Sequence, residues 1–527
     1  MGRIINNNDR KTLLSGALSM GIATIIVKIL SVLYKIPMLN TLGEEGMGYF
    51  NTAYTIYSFF YIVCTAGVPK AITILLSSAK ERGEDDEYKG VLRTAFSLFL
   101  IIGLLLSLAF LALASLIARS VGSPRSVYSM IVIAPSLVIV ALTGVLRGYL
   151  SSVGRLGSIS VSQILEGVAK LCLGLLLSRY SVEIGLGAPM CAAVAIVGID
   201  LGALVAMLYM FIIYKKEKAN EKTKQKLNLS EFKEYSKSIF SISIPITITS
   251  AVMSISSIID LFMIMSRLKA TGYSEVASAA LYGNYTTLAV PMFNLCISLI
   301  TPLSIAYLPR LASCFARGNK EAYFSTMRSF CTVTMLAAAF LFSVVAFFPR
   351  QVLYFIFGDN GYSLGAELLS RLAPSVPIYS LLIVVNTSLE ARGRVKIPLI
   401  SMLIGSIIKI PVEYLLLSNA DVNISGAAYS TNITYLTALV ISIVFAIKYS
   451  AFRLRDAFSG AAYLGCAVLG ALVLNTLYTG SIWHAESRLE TILLIPLFLI
   501  CYTVLSISVI ASGYLFGKKC QIAQKKV

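Results

Sequence analysis

Long apolar runs alternate with short polar breaks along this chain, and that pattern sets the fold before any single residue is considered. The runs cover 13–38, 48–77, 91–118, 127–152, 158–179 and 186–214, then 239–266, 278–308, 323–348, 366–389, 395–417, 424–446, 457–477 and 491–516. Each is apolar on all sides for some twenty residues, the length that crosses a bilayer core, so the pattern predicts about fourteen transmembrane helices. A closed β-barrel would show alternation in segments of roughly ten residues. That alternation is missing, and the expected fold is all-α in an integral membrane protein.

Composition sharpens this reading. Of 527 residues, 57% are hydrophobic and 13% charged, more apolar surface than a soluble core hides. A formal charge of +18 would suggest nucleic acid in a soluble protein, but here the excess sits in alternate loops. With the N-terminus on the cytoplasmic side, roughly thirty Lys and Arg fall in inner loops and tails and about eight in outer ones. Both termini are therefore expected in the cytoplasm of a bacterial cell and no nucleic-acid partner is expected. The richest inner loop, 215–238, is read as a basic linker lying on anionic headgroups. It separates an N-terminal six-helix lobe, 1–214, from a C-terminal one, 239–450, leaving 451–527 for two added helices and a basic tail.

Metal chemistry has few ligands here: the one histidine, His484, follows the one tryptophan, Trp483, in an interfacial loop, and the cysteines lack CxxC spacing. Cys64, Cys172 and Cys296 are expected as small packing residues. The first run carries Lys28 and has no small-residue cleavage signal, so it reads as a retained helix. No paired carboxylates and no nucleophile beside a base appear, so neither an enzyme nor a bound cofactor is expected.

The two lobes are copies. Gly154, Arg155, Ser162 and Lys170 recur as Gly393, Arg394, Ser401 and Lys409 at one constant offset, which also carries Gly187-Ala188 onto Gly426-Ala427. Shifted by one residue, Ala66, Pro69 and Lys70 match Ala306, Pro309 and Arg310; after a short deletion, Arg82-Gly83 and Tyr88 match Arg317-Gly318 and Tyr323. An even number of helices separates the copies. The repeat is therefore parallel, related by an axis along the membrane normal, and such a pair encloses a central cavity.

Charges inside the runs are the best clues to function, because one at the bilayer centre costs about 2.5–3.5 kcal/mol even on the lenient insertion scale. Lys28 and Lys35 are seven apart and share a face with Gly21, Thr24 and Ser31, a polar stripe that would receive an anion or, on the bland reading, snorkel. Lys70 and Arg310, each after a proline, are candidates for the cytoplasmic mouth of the cavity. Glu166 and Lys170 are spaced to pair at i,i+4, as are Lys409 and Glu413, and both are read as structural ion pairs. Asp200 and Asp260 are candidate cavity or coupling charges, with Arg267 on the face of Asp260.

Several stretches carry a resemblance: GEEGMGYFNTAY from Gly43, AGVPKAI from Ala66, APSLVIVALTGVLRGYL from Ala134, VSQILEGVAK from Val161 and ARGRVKIPLISMLIGSIIK from Ala391. Together they resemble the multidrug/oligosaccharidyl-lipid/polysaccharide exporter superfamily, in the branch of stage V sporulation protein B and the lipid II flippases. The resemblance implies two six-helix lobes around a cavity plus two C-terminal helices, working as a monomer on an undecaprenyl-pyrophosphate-linked sugar. It also implies basic cavity residues, with Lys28 and Lys35 at or near the first-helix positions. The stretch YGNYTTLAVP from Tyr282 departs from the pattern by lacking the cavity arginine of some lipid II flippases. Transport would be coupled to membrane potential, a proton or sodium. A cation-coupled drug antiporter of the same superfamily and a non-transporting scaffold for cell-wall enzymes are the rival readings.

Overall fold

Glycine and proline decide where the long apolar runs break. In the computed structural model, which describes residues 7–218, 228–358, 363–419, 421–453 and 465, the first helix, α1 (Asn7–Thr65), runs for 59 residues. At 1.5 Å per residue that is about 90 Å, far beyond one crossing. Gly43 divides it: its φ of 69° and ψ of 179° leave the helical region for one that glycine alone enters freely. Gly67 and Pro69 then separate α1 from α2 (Val68–Arg82). The expected first span lies on the first arm of α1, and the expected second span, 48–77, begins on the second arm and continues past its end into α2.

The chain continues through α3 (Asp85–Val121), α4 (Val127–Ile133), α5 (Ser136–Ser152), α6 (Leu156–Glu183), α7 (Ala188–Lys218), α8 (Leu229–Ala270) and α9 (Glu275–Asn284). A π-turn, Tyr285–Ala289, leads to α10 (Val290–Ala316), α11 (Lys320–Phe347), α12 (Pro349–Phe357), α13 (Ser363–Leu372), α14 (Ser375–Glu390), α15 (Lys396–Leu417) and α16 (Ser425–Lys448). Among the described residues, nine helices are long and apolar enough to cross a membrane, or ten when α4 and α5, bent by 41° beside Pro135, count as one span. Every span expected before residue 450 falls on helical backbone. Apart from residue 465, the two expected C-terminal spans lie outside the described residues, as do residues 219–227 of the basic linker and Trp483 and His484.

By contacts the chain divides into two units, Met1–Gly283 and Asn284–Val527. In the first, apolar residues of α1, α2, α3 and α5 form a core that includes Cys64, Ile72, Leu76, Leu92 and Leu146. The core of the second is built from α10, α11, α14 and α16, with Leu311, Met327, Phe330, Val385 and Ala438. Cys296 is buried like Cys64, whereas Cys172 is exposed on α6 and is not a packing residue. Leu104, Leu105, Leu108 and Leu116 line the exposed face of α3, the place where acyl chains replace water.

The backbone repeats its punctuation as the duplicated residues predict. Gly83 and Gly318 close α2 and α10 with φ of 74° and 68°, and Gly154 and Gly393 turn the chain before α6 and α15 with φ of 79° and 75°. Pro135 and Pro374 stand at the same step, immediately before α5 and α14. With no water at membrane depth, buried hydroxyls bond back to their own helix: Thr52 donates to the Gly48 carbonyl at 2.8 Å and Ser162 to that of Ile159 at 2.7 Å.

Small residues let helices approach closely. A Cβ on Gly198 of α7 would lie 2.3 Å from the Cα of Gly174 on α6, so backbone meets backbone there. Gly198→Ala is expected to cost about 1–3 kcal/mol by forcing the two helices apart, read as a lower unfolding temperature of the detergent-purified protein. Gly157→Ala, where a Cβ meets nothing within 4 Å, is the matched control and should change stability by less than about 0.5 kcal/mol.

Candidate functional site

Tyrosines spaced three and four apart on the second arm of α1 fall on one helical face and build a ladder of rings. From Phe50 the ring centroids step to Tyr54 at 6.1 Å, to Tyr57 at 6.0 Å and to Tyr61 at 6.0 Å. Tyr34, on the first arm, joins the ladder through Phe50 at 6.3 Å. Helix α6 packs along α1 and brings charge to these rings. The Lys170 ammonium sits 5.1 Å from the Tyr34 centroid and 5.0 Å from that of Tyr54, a cation held by two π faces. Lys35, adjacent to Tyr34, is near enough for its charge to interact with that of Lys170.

One turn before Lys170, Glu166 turns the other way. Its carboxylate accepts from the Arg147 guanidinium of α5 at 3.0 Å, with the side chains 30% and 13% exposed. The expected Glu166–Lys170 ion pair is therefore corrected: the arginine takes the acid because its planar fork reaches it across the helix interface, and the lysine takes the rings. Tyr61 faces the same guanidinium. Asp200 of α7 lies by Ser136, at the start of α5, and by Tyr57.

The result is a polar column through the first unit, walled by α1, α5, α6 and α7. Its cations are Lys35, Lys170 and Arg147, and its acids are Glu166 and Asp200. Three of its atoms, the Tyr34 hydroxyl, Arg147 Nε and Asp200 Oδ1, are buried without a hydrogen-bond partner among the described residues. Buried polar atoms of this kind are paid for only where water or a polar ligand reaches them. Among the described residues no group of His, Cys, Asp and Glu could hold a metal ion.

Of the residues singled out from the sequence, Lys35, Lys170, Glu166 and Asp200 belong to this column. Lys28 is on α1, but its side chain lies outside the described residues. Lys70 is exposed on α2 and Arg310 is exposed on α10 of the second unit. Asp260 and Arg267 are half-buried, two turns apart on α8. Lys409 and Glu413 are buried one turn apart on α15, 3% and 0% exposed. Arg147 and the tyrosine ladder went unremarked in the sequence. Arg147 was detectable as an arginine inside the apolar run 127–152, and the ladder as tyrosines at helical spacing.

A many-spanning helical protein with duplicated units and a basic, ring-lined interior column has the make-up of a membrane transporter. The family "Polysaccharide biosynthesis protein" matches residues 13–315, and this chain is a member of that family. The MatE family matches residues 245–415. The chain is 23% identical over 450 residues to Stage V sporulation protein B of Bacillus subtilis (strain 168), covering 83% of this chain and 85% of that protein. It is 22% identical over 455 residues to Lipid II flippase MurJ of the same organism, covering 82% of each.

Among solved structures, Lipid II flippase MurJ in an inward closed conformation superposes with a TM-score of 0.70 at 16% identity, covering 94% of this chain and 99% of that one. An inward-facing multidrug resistance MATE family transporter of the MOP superfamily gives 0.67 at 16% identity, covering 83% and 98%. These likenesses show the fold, and the superfamily resemblance read from the sequence is borne out.

Removing Glu166 tests the ion pair it forms with Arg147. Glu166→Ala strands the Arg147 charge and is expected to cost roughly 2 kcal/mol in thermal unfolding of the purified protein. Adding Arg147→Asn should recover more than half of that loss. An unfolding temperature unmoved by Glu166→Ala alone would show that the pair contributes nothing to the fold.

Proposed function

We propose that this protein is a flippase that carries an undecaprenyl-pyrophosphate-linked sugar from the inner to the outer leaflet of a bacterial cytoplasmic membrane. The observation that carries the reading is the basic column of Lys35, Lys170 and Arg147 inside membrane-crossing helices, with polar atoms left over. A charge at that depth is expensive and needs a counter-charge that comes and goes. A pyrophosphate supplies one. Lys28, on the same face of α1 as Lys35, is assigned to the same grip.

In this mechanism the two lobes rock about a central cavity, which opens first to the cytoplasm and then outward. The cations hold the pyrophosphate, the tyrosine faces offer flat apolar surfaces to the sugar rings, and the polyprenyl tail stays in the bilayer. Moving negative charge outward across an inside-negative membrane is downhill by about 2.3 kcal/mol per charge per 100 mV. The membrane potential therefore drives the step, with Asp200 as the candidate for any coupled proton or sodium ion. Asp200 is also the observation that favours the second reading, a cation-coupled drug antiporter, in which the acid carries the exchange.

Reconstitution into vesicles separates the two. Lys35→Ala/Lys170→Ala is expected to slow outward movement of a pyrophosphate-linked sugar at least about ten-fold, the loss of about 1.4 kcal/mol or more of anion stabilisation, and to leave dye efflux at background. Wild-type translocation in that variant would remove the column from the mechanism. Dye efflux that depends on Asp200 would favour the antiporter. Native mass spectrometry of the purified protein, reading the mass of the copurifying lipid, identifies the cargo directly.

A further inference from the structure

A second basic site stands at one end of the second unit, apart from the column. The C-terminal end of α10, the first turn of α11, the turn after α14 and the residues after α16 enclose a cavity of about 570 Å³. Arg392, Arg453 and Lys320 line it, and among the described residues none of its lining is acidic. Arg155, at the corresponding turn of the first unit, is neutralised by Glu217 at 2.6 Å, and Arg82 binds both Glu84 at 2.8 Å and Glu87 at 2.5 Å.

The cavity is built, not incidental. The Arg392 guanidinium is stacked between Phe315 at 4.8 Å and Tyr323 at 4.7 Å from the ring centroids, and donates to the Tyr449 carbonyl at 2.6 Å. Its Nε is buried without a hydrogen-bond partner among the described residues. Tyr323 is fixed in turn by donating to the Ala451 carbonyl at 3.1 Å. Arg453 lies over Phe324, 3.5 Å from the centroid. Guanidinium groups locked by stacking lose little freedom when they bind, and their planar forks match the oxygens of phosphate.

We propose that this cavity binds the phosphate of an anionic lipid headgroup in the inner leaflet. The helix ends that form it carry the basic loops 317–320, 392–396 and 448–453, which the positive-inside bias assigns to the cytoplasmic surface, where anionic headgroups concentrate. Ring faces and uncompensated cations side by side suit a ligand that is charged at one end and apolar at the other. A soluble phosphate would use the charges and leave the rings idle. This site does not rest on the flippase reading.

The test uses full-length protein in neutral detergent, titrated with phosphatidylglycerol, with phosphatidylcholine, or with inorganic phosphate. Native mass spectrometry counts bound lipid, and thermal unfolding reads stabilisation. Phosphatidylglycerol should bind and stabilise, and Arg392→Gln and Arg453→Gln should each weaken it about five-fold. Arg453→Gln keeps the test valid if the stacked Arg392 proves necessary for folding, because Arg453 is exposed. Lys396→Gln/Lys448→Gln removes two neighbouring charges outside the cavity lining and should change little. Equal loss in that control would mean diffuse surface attraction and overturn the site. Stabilisation by inorganic phosphate with none by phosphatidylglycerol would overturn the lipid assignment, as would equal binding of phosphatidylcholine.

Discussion

Inside a bilayer no water screens or solvates a charge, and the interior of the first unit is organised around that constraint. Leaving a cation there unattended costs about 2.5–3.5 kcal/mol even on the lenient insertion scale. The first unit answers in two ways: Glu166 meets Arg147 with opposite charge, and Tyr34 and Tyr54 meet Lys170 with ring faces. Both arrangements depend on α1, α5 and α6 standing together. The close approach of α6 and α7 at Gly174 and Gly198 brings Asp200 to the same interior.

The duplication supplies an internal control on whether such charge is a requirement of the fold. At the position equivalent to Arg147 the second unit has Asn386, and at that of Glu166 it has Gly405. There Ser442 donates to Asn386 Oδ1 at 2.9 Å and lies 2.9 Å from the hydroxyl of Ser401, a neutral network serving the same helix junction. The architecture is thus satisfied without an arginine and a glutamate at this crossing. Their presence in the first unit points to work that the second unit does not do. The lysine survives in both copies, as Lys170 and Lys409, and in the second copy an acid, Glu413, follows it by one turn.

What the sequence makes legible follows from the length scales involved. Apolar runs of about twenty residues are specified by the bilayer itself, so the spans and their order could be read directly. The break at Gly67 and Pro69 was not read from hydropathy, because the apolar run 48–77 continues across it and only the backbone shows the interruption. Partner choice is not local. Glu166 and Lys170 satisfy the spacing rule for a pair, yet the rule knows nothing of α5 and α1 on either side, and the neighbours win. Arg147 was overlooked because it has no charged neighbour within its own helix, although an arginine inside an apolar run is the kind of residue that tertiary structure must explain. The exposed positions of Lys70 and Arg310 likewise depend on which helices cover them, which no run of hydropathy records.

The two ways of holding a cation differ in what they leave available to a ligand. A carboxylate cancels the charge it stabilises, so an arriving anion must displace Glu166 to gain the full charge of Arg147. Ring faces stabilise a cation through their quadrupole without cancelling its charge. Lys170 is held in place at modest desolvation cost and still presents a whole positive charge to whatever enters beside it, reinforced by Lys35. On the flippase reading this division is useful: Lys170 and Lys35 attract the pyrophosphate, and Glu166 limits how tightly Arg147 can keep it. A site made only of unopposed arginines would bind the headgroup more strongly and release it more slowly. The acid retained within the basic column therefore fits a site that must let its cargo go.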